Sequence, residues 1–175
     1  MKFLTFGPFE LEKNEPAAIR AFFTRIEEAK ENLEKAIGVY IFAIPNDKNE
    51  LVPLYVGKTD RGFGGRIRKH LDNHKFDEHV SRQCRLNLFL IAKSTSSKKF
   101  KKVTLKMRES KKGTKSINEL EFALIGSCIE LNQNLINKSE STFHRTLRVP
   151  GFWNSPVQER DQSAKKLAAM LKAKK

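Results

Sequence analysis

Five side chains stand at spacings that could do chemistry together. Tyr40 and Tyr55 lie in two apolar runs, GVYIFAI from residue 38 and LVPLYVG from residue 51. Just beyond, GGRIRKHL sets Arg66 and His70 four residues apart, so on a helix they share one face. Glu121 falls inside INELEFALIGSC, in the middle of the apolar stripe Ile117, Leu124, Ile125 and Cys128. A carboxylate on a buried stripe is costly unless a cation compensates it, and two compensations are open: a salt bridge at the edge of the stripe or a bound metal ion. Phenols and imidazoles move protons, and a guanidinium neutralises anions through a planar fork. Each group also has an ordinary reading, because facing tyrosines pack and a helix face carrying Arg, Lys and His is commonly just solvated.

The elements that must position them follow from periodicity and turn residues. Residues 1–13 read as a short strand or an ordered arm. A helix follows, with Asn14 as N-cap, Pro16 in the first turn, and Ile19, Phe22, Phe23, Ile26 and Leu33 on one face. The two tyrosine runs, separated by the polar PNDKNE, read as a hairpin, with Pro53 marking an edge position or a bulge. With the turn centred between Asp47 and Lys48, Tyr40 and Tyr55 face each other across the strands. A second helix starts at RIRKHL, a third strand at Arg85, and a strong helix at Ile117 that ends in NQNLIN. The lysine-rich stretch between the last two reads as a loop, or as a hairpin using KKVTLKM. A basic amphipathic helix from Gln162 finishes the chain, beyond an irregular stretch around Trp153.

The chain has 175 residues, enough for one domain with appendages, and a net charge of +14. Such a charge expects an anionic partner, most often nucleic acid. It is concentrated: Lys93 to Lys115 holds ten Lys and Arg against the single acid Glu109. Lys98, Lys99, Lys101, Lys102, Lys106 and Arg108 are the candidate phosphate contacts, with a solvated loop as the alternative. His144, Arg145, Arg148 and Trp153 are further candidates. Cys84 and Cys128 are too few and too scattered for a disulfide framework or a zinc site, and read as buried thiols. Neither a signal peptide nor an apolar run of membrane-spanning length is seen, so the expectation is a soluble, cytoplasmic protein.

Taken together, the motifs resemble the GIY-YIG nuclease family: GVY at 38–40, YVG at 55–57 followed by Lys58, Arg66 with His70 four residues on, and Glu121 with Leu124 and Ile125 in an E-x-x-L-I helix pattern. The turn from Lys58 to Arg66 is about a residue longer than usual. The closing asparagine is open among Asn132, Asn134 and Asn137, with Asn137 preferred for its local pattern. The resemblance implies an α+β fold, with a central antiparallel sheet of three strands flanked by helices, over residues 36–137. An N-terminal helical extension (1–35) and a basic C-terminal extension (138–175) would flank it. It further implies a DNA endonuclease that uses one Mg²⁺ or Mn²⁺ held by Glu121 and acts as monomer or homodimer on double-stranded DNA. Tyr40 would be the general base, its pKa lowered from about 10 by Lys58 and Arg66, with His70 accepting the phenol proton. Arg66 would neutralise the phosphate, Tyr55 would orient the water or hydrogen-bond the phosphate, and all of these would converge on one phosphate. The alternative is a non-catalytic nucleic-acid-binding module of the same fold.

Overall fold

The hairpin organises the molecule. Strand β2 (Gly38–Pro45) pairs antiparallel with β3 (Leu51–Thr59), and Asn46 shapes the turn by accepting hydrogen bonds at Oδ1 from the Lys48 and Glu50 amides, each at 2.9 Å. The computed structural model describes residues 2–80, 85–97, 102–108 and 111–137, together with Ser163. The chain divides into two compact units, Met1–Ile136 and Asn137–Lys175. Every element named below belongs to the first.

The fold is α+β with a five-stranded, wholly antiparallel sheet, two strands more than expected. The first extra strand is β1 (Lys2–Leu11), which pairs with β4 (Leu86–Ser97) along nearly its whole length, with an irregularity between Phe6 and Phe9. The second is β5 (Lys102–Leu105), which pairs with the far end of β4 beyond the start of β2. The partner of β1 is distant in the sequence, from Leu11 opposite Leu86 to Lys2 opposite Ser94, and β5 itself lies in the lysine-rich stretch, so neither announces its pairing locally. The path is β1-β4-β2-β3, which leaves β3 at an edge.

Helix α1 (Pro16–Ala29) begins with Pro16 at its first position and Glu15 as N-cap. The expected cap, Asn14, reaches elsewhere: its amide nitrogen donates to Asp77 Oδ1 at 2.9 Å. Leu33 is buried but lies past the end of the helix, in a turn. Helix α2 (Phe63–Asp72) is followed by the single turn α3 (Asp77–Val80) and, after β4 and β5, by α4 (Lys111–Leu131), which starts six residues before Ile117.

Two cores lie on the two faces of the sheet. One combines Phe22, Phe23 and Ile26 of α1 with Phe63, Ile67 and Leu71 of α2, against Tyr40, Phe42, Tyr55, Leu88 and Leu90. The other sets Ile117, Ile125, Cys128 and Ile129 of α4 against Val39 and Val56. The alternation of side chains along a strand separates Tyr40 and Phe42 from Val39, and it assigns each helix its layer. Among the described residues, no helix is long and apolar enough to cross a membrane.

Candidate functional site

Pro53 has no amide hydrogen, and the hairpin ladder breaks beside it. Pairing runs Pro45 with Leu51 through Ala43 with Pro53, then resumes with Phe42 opposite Tyr55, leaving Leu54 as the extra residue. Asn132 Nδ2 donates to the Pro53 carbonyl at 2.7 Å, and the Ile136 amide donates to that of Leu54 at 2.8 Å, so the bulged carbonyls are satisfied. The bulge corrects the expected register. Tyr40 faces Gly57, not Tyr55, and the two tyrosines are diagonal neighbours on one face, ring centroids 6.2 Å apart.

Gly57 is what that packing needs. A Cβ there would penetrate the Tyr40 phenol and come within 2.8 Å of Tyr55 Cε1. The tyrosine rings thus occupy the space a side chain at residue 57 would take.

Helix α2 supplies the rest of this cluster. Gly62 takes φ 107°, a backbone conformation that side chains disfavour, and Thr59 Oγ1 donates to its carbonyl at 3.0 Å, which closes the turn into the helix. Arg66 and His70 then project toward the tyrosines. The Tyr40 hydroxyl lies 2.7 Å from His70 Nε2, both groups buried. Partial burial opposes the charge of the exposed Arg66, but the neighbouring phenols of Tyr40 and Tyr55 outweigh it and favour the cation. Lys75, which sequence reasoning did not single out, places its ammonium 3.6 Å from the centroid of the Tyr55 ring. It sits in a turn with no periodic signal, five residues beyond His70.

The surroundings hold these groups neutral. Burial, then repulsion from Lys75, Arg66 and Lys69, lowers His70 to a pKa of about 4. Burial and the neighbouring Tyr55 push the Tyr40 phenol well above its usual value, against the pull of Arg66. The expected lowering of Tyr40 is therefore reversed: Arg66 acts in the expected direction but is outweighed, and Lys58 is occupied elsewhere. A neutral imidazole beside a neutral phenol, with the Arg66 cation nearby, suits donation of the Tyr40 hydrogen to Nε2.

Lys58 and Glu121 form a second cluster. Lys58 follows Gly57 and so points to the other face of β3, where its Nζ is 2.6 Å from Glu121 Oε2. Glu121 is buried on the inward stripe of α4, and Lys58 supplies a cation that compensates it. The structure thus gathers Tyr40, Tyr55, Arg66 and His70 on the α2 face and Lys58 with Glu121 on the α4 face. The expected convergence of all of them on one phosphate is thus corrected: side chains alternate along β3, so the two groups lie on opposite faces of this edge strand, divided between Gly57 and Lys58. A divalent cation prefers hard oxygen donors, and Glu121 is one. Among the described residues no three side chains of His, Cys, Asp or Glu come together as a metal site.

Of the remaining candidates, Asn137 is buried and begins the second compact unit, and Asn134 is exposed. Lys106 is anchored through its backbone, donating to Lys93 O at 2.9 Å and accepting from the Ile37 amide at 2.9 Å, and Arg108 is exposed. Lys102 lies in β5. Lys98, Lys99, Lys101, His144, Arg145, Arg148, Trp153, Cys84 and the basic C-terminal helix lie outside the described residues. Cys128 is buried, and burial raises its thiol to a pKa of about 11, as an inert core thiol. No protein-family model, curated protein or solved structure matches the chain.

Proposed function

We propose that the protein is a metal-dependent endonuclease of the GIY-YIG type, hydrolysing phosphodiester bonds in DNA. The observation that carries the reading is the buried Tyr40 hydroxyl at 2.7 Å from an uncharged His70 Nε2, with a guanidinium alongside. A proton acceptor coupled to a cation is what attack of water on a phosphate requires.

In this reading water attacks phosphorus as its proton passes to the Tyr40 oxygen, and the phenol's own proton passes to His70 Nε2. The bond from phosphorus to the leaving oxygen breaks, and that oxygen takes a proton from solvent. Arg66 and Tyr55 hold the non-bridging oxygens. Lys75, Lys69 and Arg66 repel a proton on His70 in the free protein. A bound phosphate offsets that repulsion, so the imidazole becomes a better acceptor once substrate is in place. Glu121 would hold Mg²⁺ or Mn²⁺, which supplies Lewis-acid neutralisation of phosphate charge when bound.

The second reading, a nucleic-acid-binding module without catalysis, is favoured by the Lys58–Glu121 ion pair at 2.6 Å, which gives the carboxylate a cation already. Supercoiled plasmid separates the two. The wild type should nick it with Mg²⁺ or Mn²⁺, and Tyr40→Phe should lower the single-turnover rate by about 10²–10⁴-fold. Binding without nicking in either metal, or equal rates for Tyr40→Phe and wild type, would overturn the nuclease reading.

A further inference from the structure

Three chain segments are sewn together at the start of α2. The Phe63 amide donates to Ala36 O at 3.0 Å and the Gly64 amide to Glu34 O at 2.8 Å, tying the helix start to the segment after α1. The Ile37 amide donates to Lys106 O at 2.9 Å, which ties that segment to the chain leaving β5. Between them lies a cavity of about 570 Å³, lined in part by Lys35, Arg61, Gly65, Met107 and Arg108. The volume is of the size that takes a small ligand.

Two acids also line it, but both are engaged. Glu27 Oε1 accepts from the Asn32 amide at 2.6 Å, and Glu34 pairs with Arg68 at 3.2 Å. Lys35 donates to Asn32 Oδ1 at 3.2 Å. Among the described residues, the guanidiniums of Arg61 and Arg108 make no hydrogen bond or ion pair. The first two amides of α2 are committed to Glu34 and Ala36, so the attraction for an anion comes from these side chains and not from the helix end. Arg forks match phosphate oxygens, and the half-exposed Met107 adds an apolar wall.

We propose that this cavity binds one nucleotide unit of a DNA strand, its phosphate on Arg61 and Arg108 and its nucleoside against Met107. Gly65, on the wall of the cavity, directly precedes Arg66 on α2, so one helix carries both a strand-holding pocket and the guanidinium of the candidate centre. The identity of the anion as part of a DNA strand rests on the nuclease reading. The pocket itself rests on the cations and the cavity.

Gly65 allows a clean test, because a Cβ there meets nothing within 4 Å. Gly65→Glu adds a carboxylate at the cavity wall from a position where the Cβ itself is unobstructed, and Gly65→Ala is the control. Binding of a fluorescein-labelled DNA duplex is measured by anisotropy in EDTA at several salt concentrations, so that no cleavage intervenes. The expected result is a loss of roughly tenfold for Gly65→Glu, none for Gly65→Ala, and a log–log salt slope shallower by about 1 for each of Arg61→Ala and Arg108→Ala. Wild-type affinity in Gly65→Glu and Arg61→Ala, or no binding by the wild type, would overturn the proposal. Loss of binding in these variants, with no nicking by the wild type in any metal, would keep the pocket and remove the nuclease. Nicking with unchanged binding would do the reverse.

Discussion

The two faces of edge strand β3 hold polar groups by opposite means. On the α2 face, Tyr40, Tyr55 and His70 are wedged among Phe42, Phe63 and Phe76, with ring centroids 4.4–6.5 Å apart. Burial there drives the titratable groups toward their uncharged forms, the phenol upward and the imidazole down. On the α4 face, a charged carboxylate is kept because an ammonium meets it at 2.6 Å. Desolvation without a strong counter-charge yields neutral, proton-sharing groups, whereas desolvation with one yields a fixed ion pair. The first arrangement suits proton transfer and the second suits holding or releasing a cation. A backbone step from Gly57 to Lys58 separates them.

That contrast breaks most sharply at Gly57. Gly57→Ala drives a methyl into the Tyr40 phenol, an overpacking expected to cost about 1–3 kcal/mol of stability, read by thermal or denaturant unfolding. The damage should be one-sided: the Tyr40–His70 contact is displaced while the Lys58–Glu121 pair, on the other face, survives. An alanine variant as stable as the wild type, with the His70 titration unmoved, would mean that the phenol is not fixed by this contact.

Which face each group would take was only half legible in the sequence. The hairpin could be read, because a polar turn separates two β-branched and aromatic runs, and Pro53 flagged its bulge. The register could not, since nothing local says that Leu54 is the residue left over. Periodicity placed Glu121 correctly on the inward stripe of α4, but a helical repeat tells only which side of a helix is buried. It does not tell on which face of the sheet the helix lies, and so the sequence offered no means of separating Glu121 from Tyr40. Arg66 and His70 were legible because their spacing is local. Lys75 reaches Tyr55 only through the turn after α2, and the pairing of β1 with β4 depends on contact across about half the chain.

The ion-pair face can be sharpened with a smaller effect. Lys58→Met leaves the Glu121 carboxylate buried without that partner. Because Lys58 is itself 41% exposed, the cost after solvent screening is about 1 kcal/mol. If the carboxylate is also a cation site, Lys58 competes with the ion. Excess Mg²⁺ should then raise the Tm of Lys58→Met more than that of the wild type, and should leave Glu121→Gln unmoved. A Tm insensitive to Mg²⁺ and Mn²⁺ in all three proteins would assign Glu121 to the ion pair alone.

The smallest effect probes how the α2 face sets its protonation state. His70 titrates near 4 in the folded protein against about 6.5 when unfolded. Below pH 6.5 the unfolded chain takes up a proton that the folded site refuses. Stability therefore falls as pH drops from 6.5 to about 4 and levels off beneath. Burial is the larger cause of the low value and Lys75 the next. Lys75→Met should raise the His70 midpoint by a few tenths of a pH unit, followed by NMR of the imidazole ring, and make the acid loss of stability correspondingly shallower. The same substitution removes the ammonium from the Tyr55 ring, a loss of about 0.5–1 kcal/mol that does not vary with pH. A vertical offset of the curve at neutral pH thus reports the ring contact, and a smaller total loss at acid pH, levelling off sooner, reports the charge. If only the offset appears, Lys75 plays no part in keeping His70 neutral, which leaves burial with Arg66 and Lys69 as the causes and Lys75 as no target for a bound phosphate to offset.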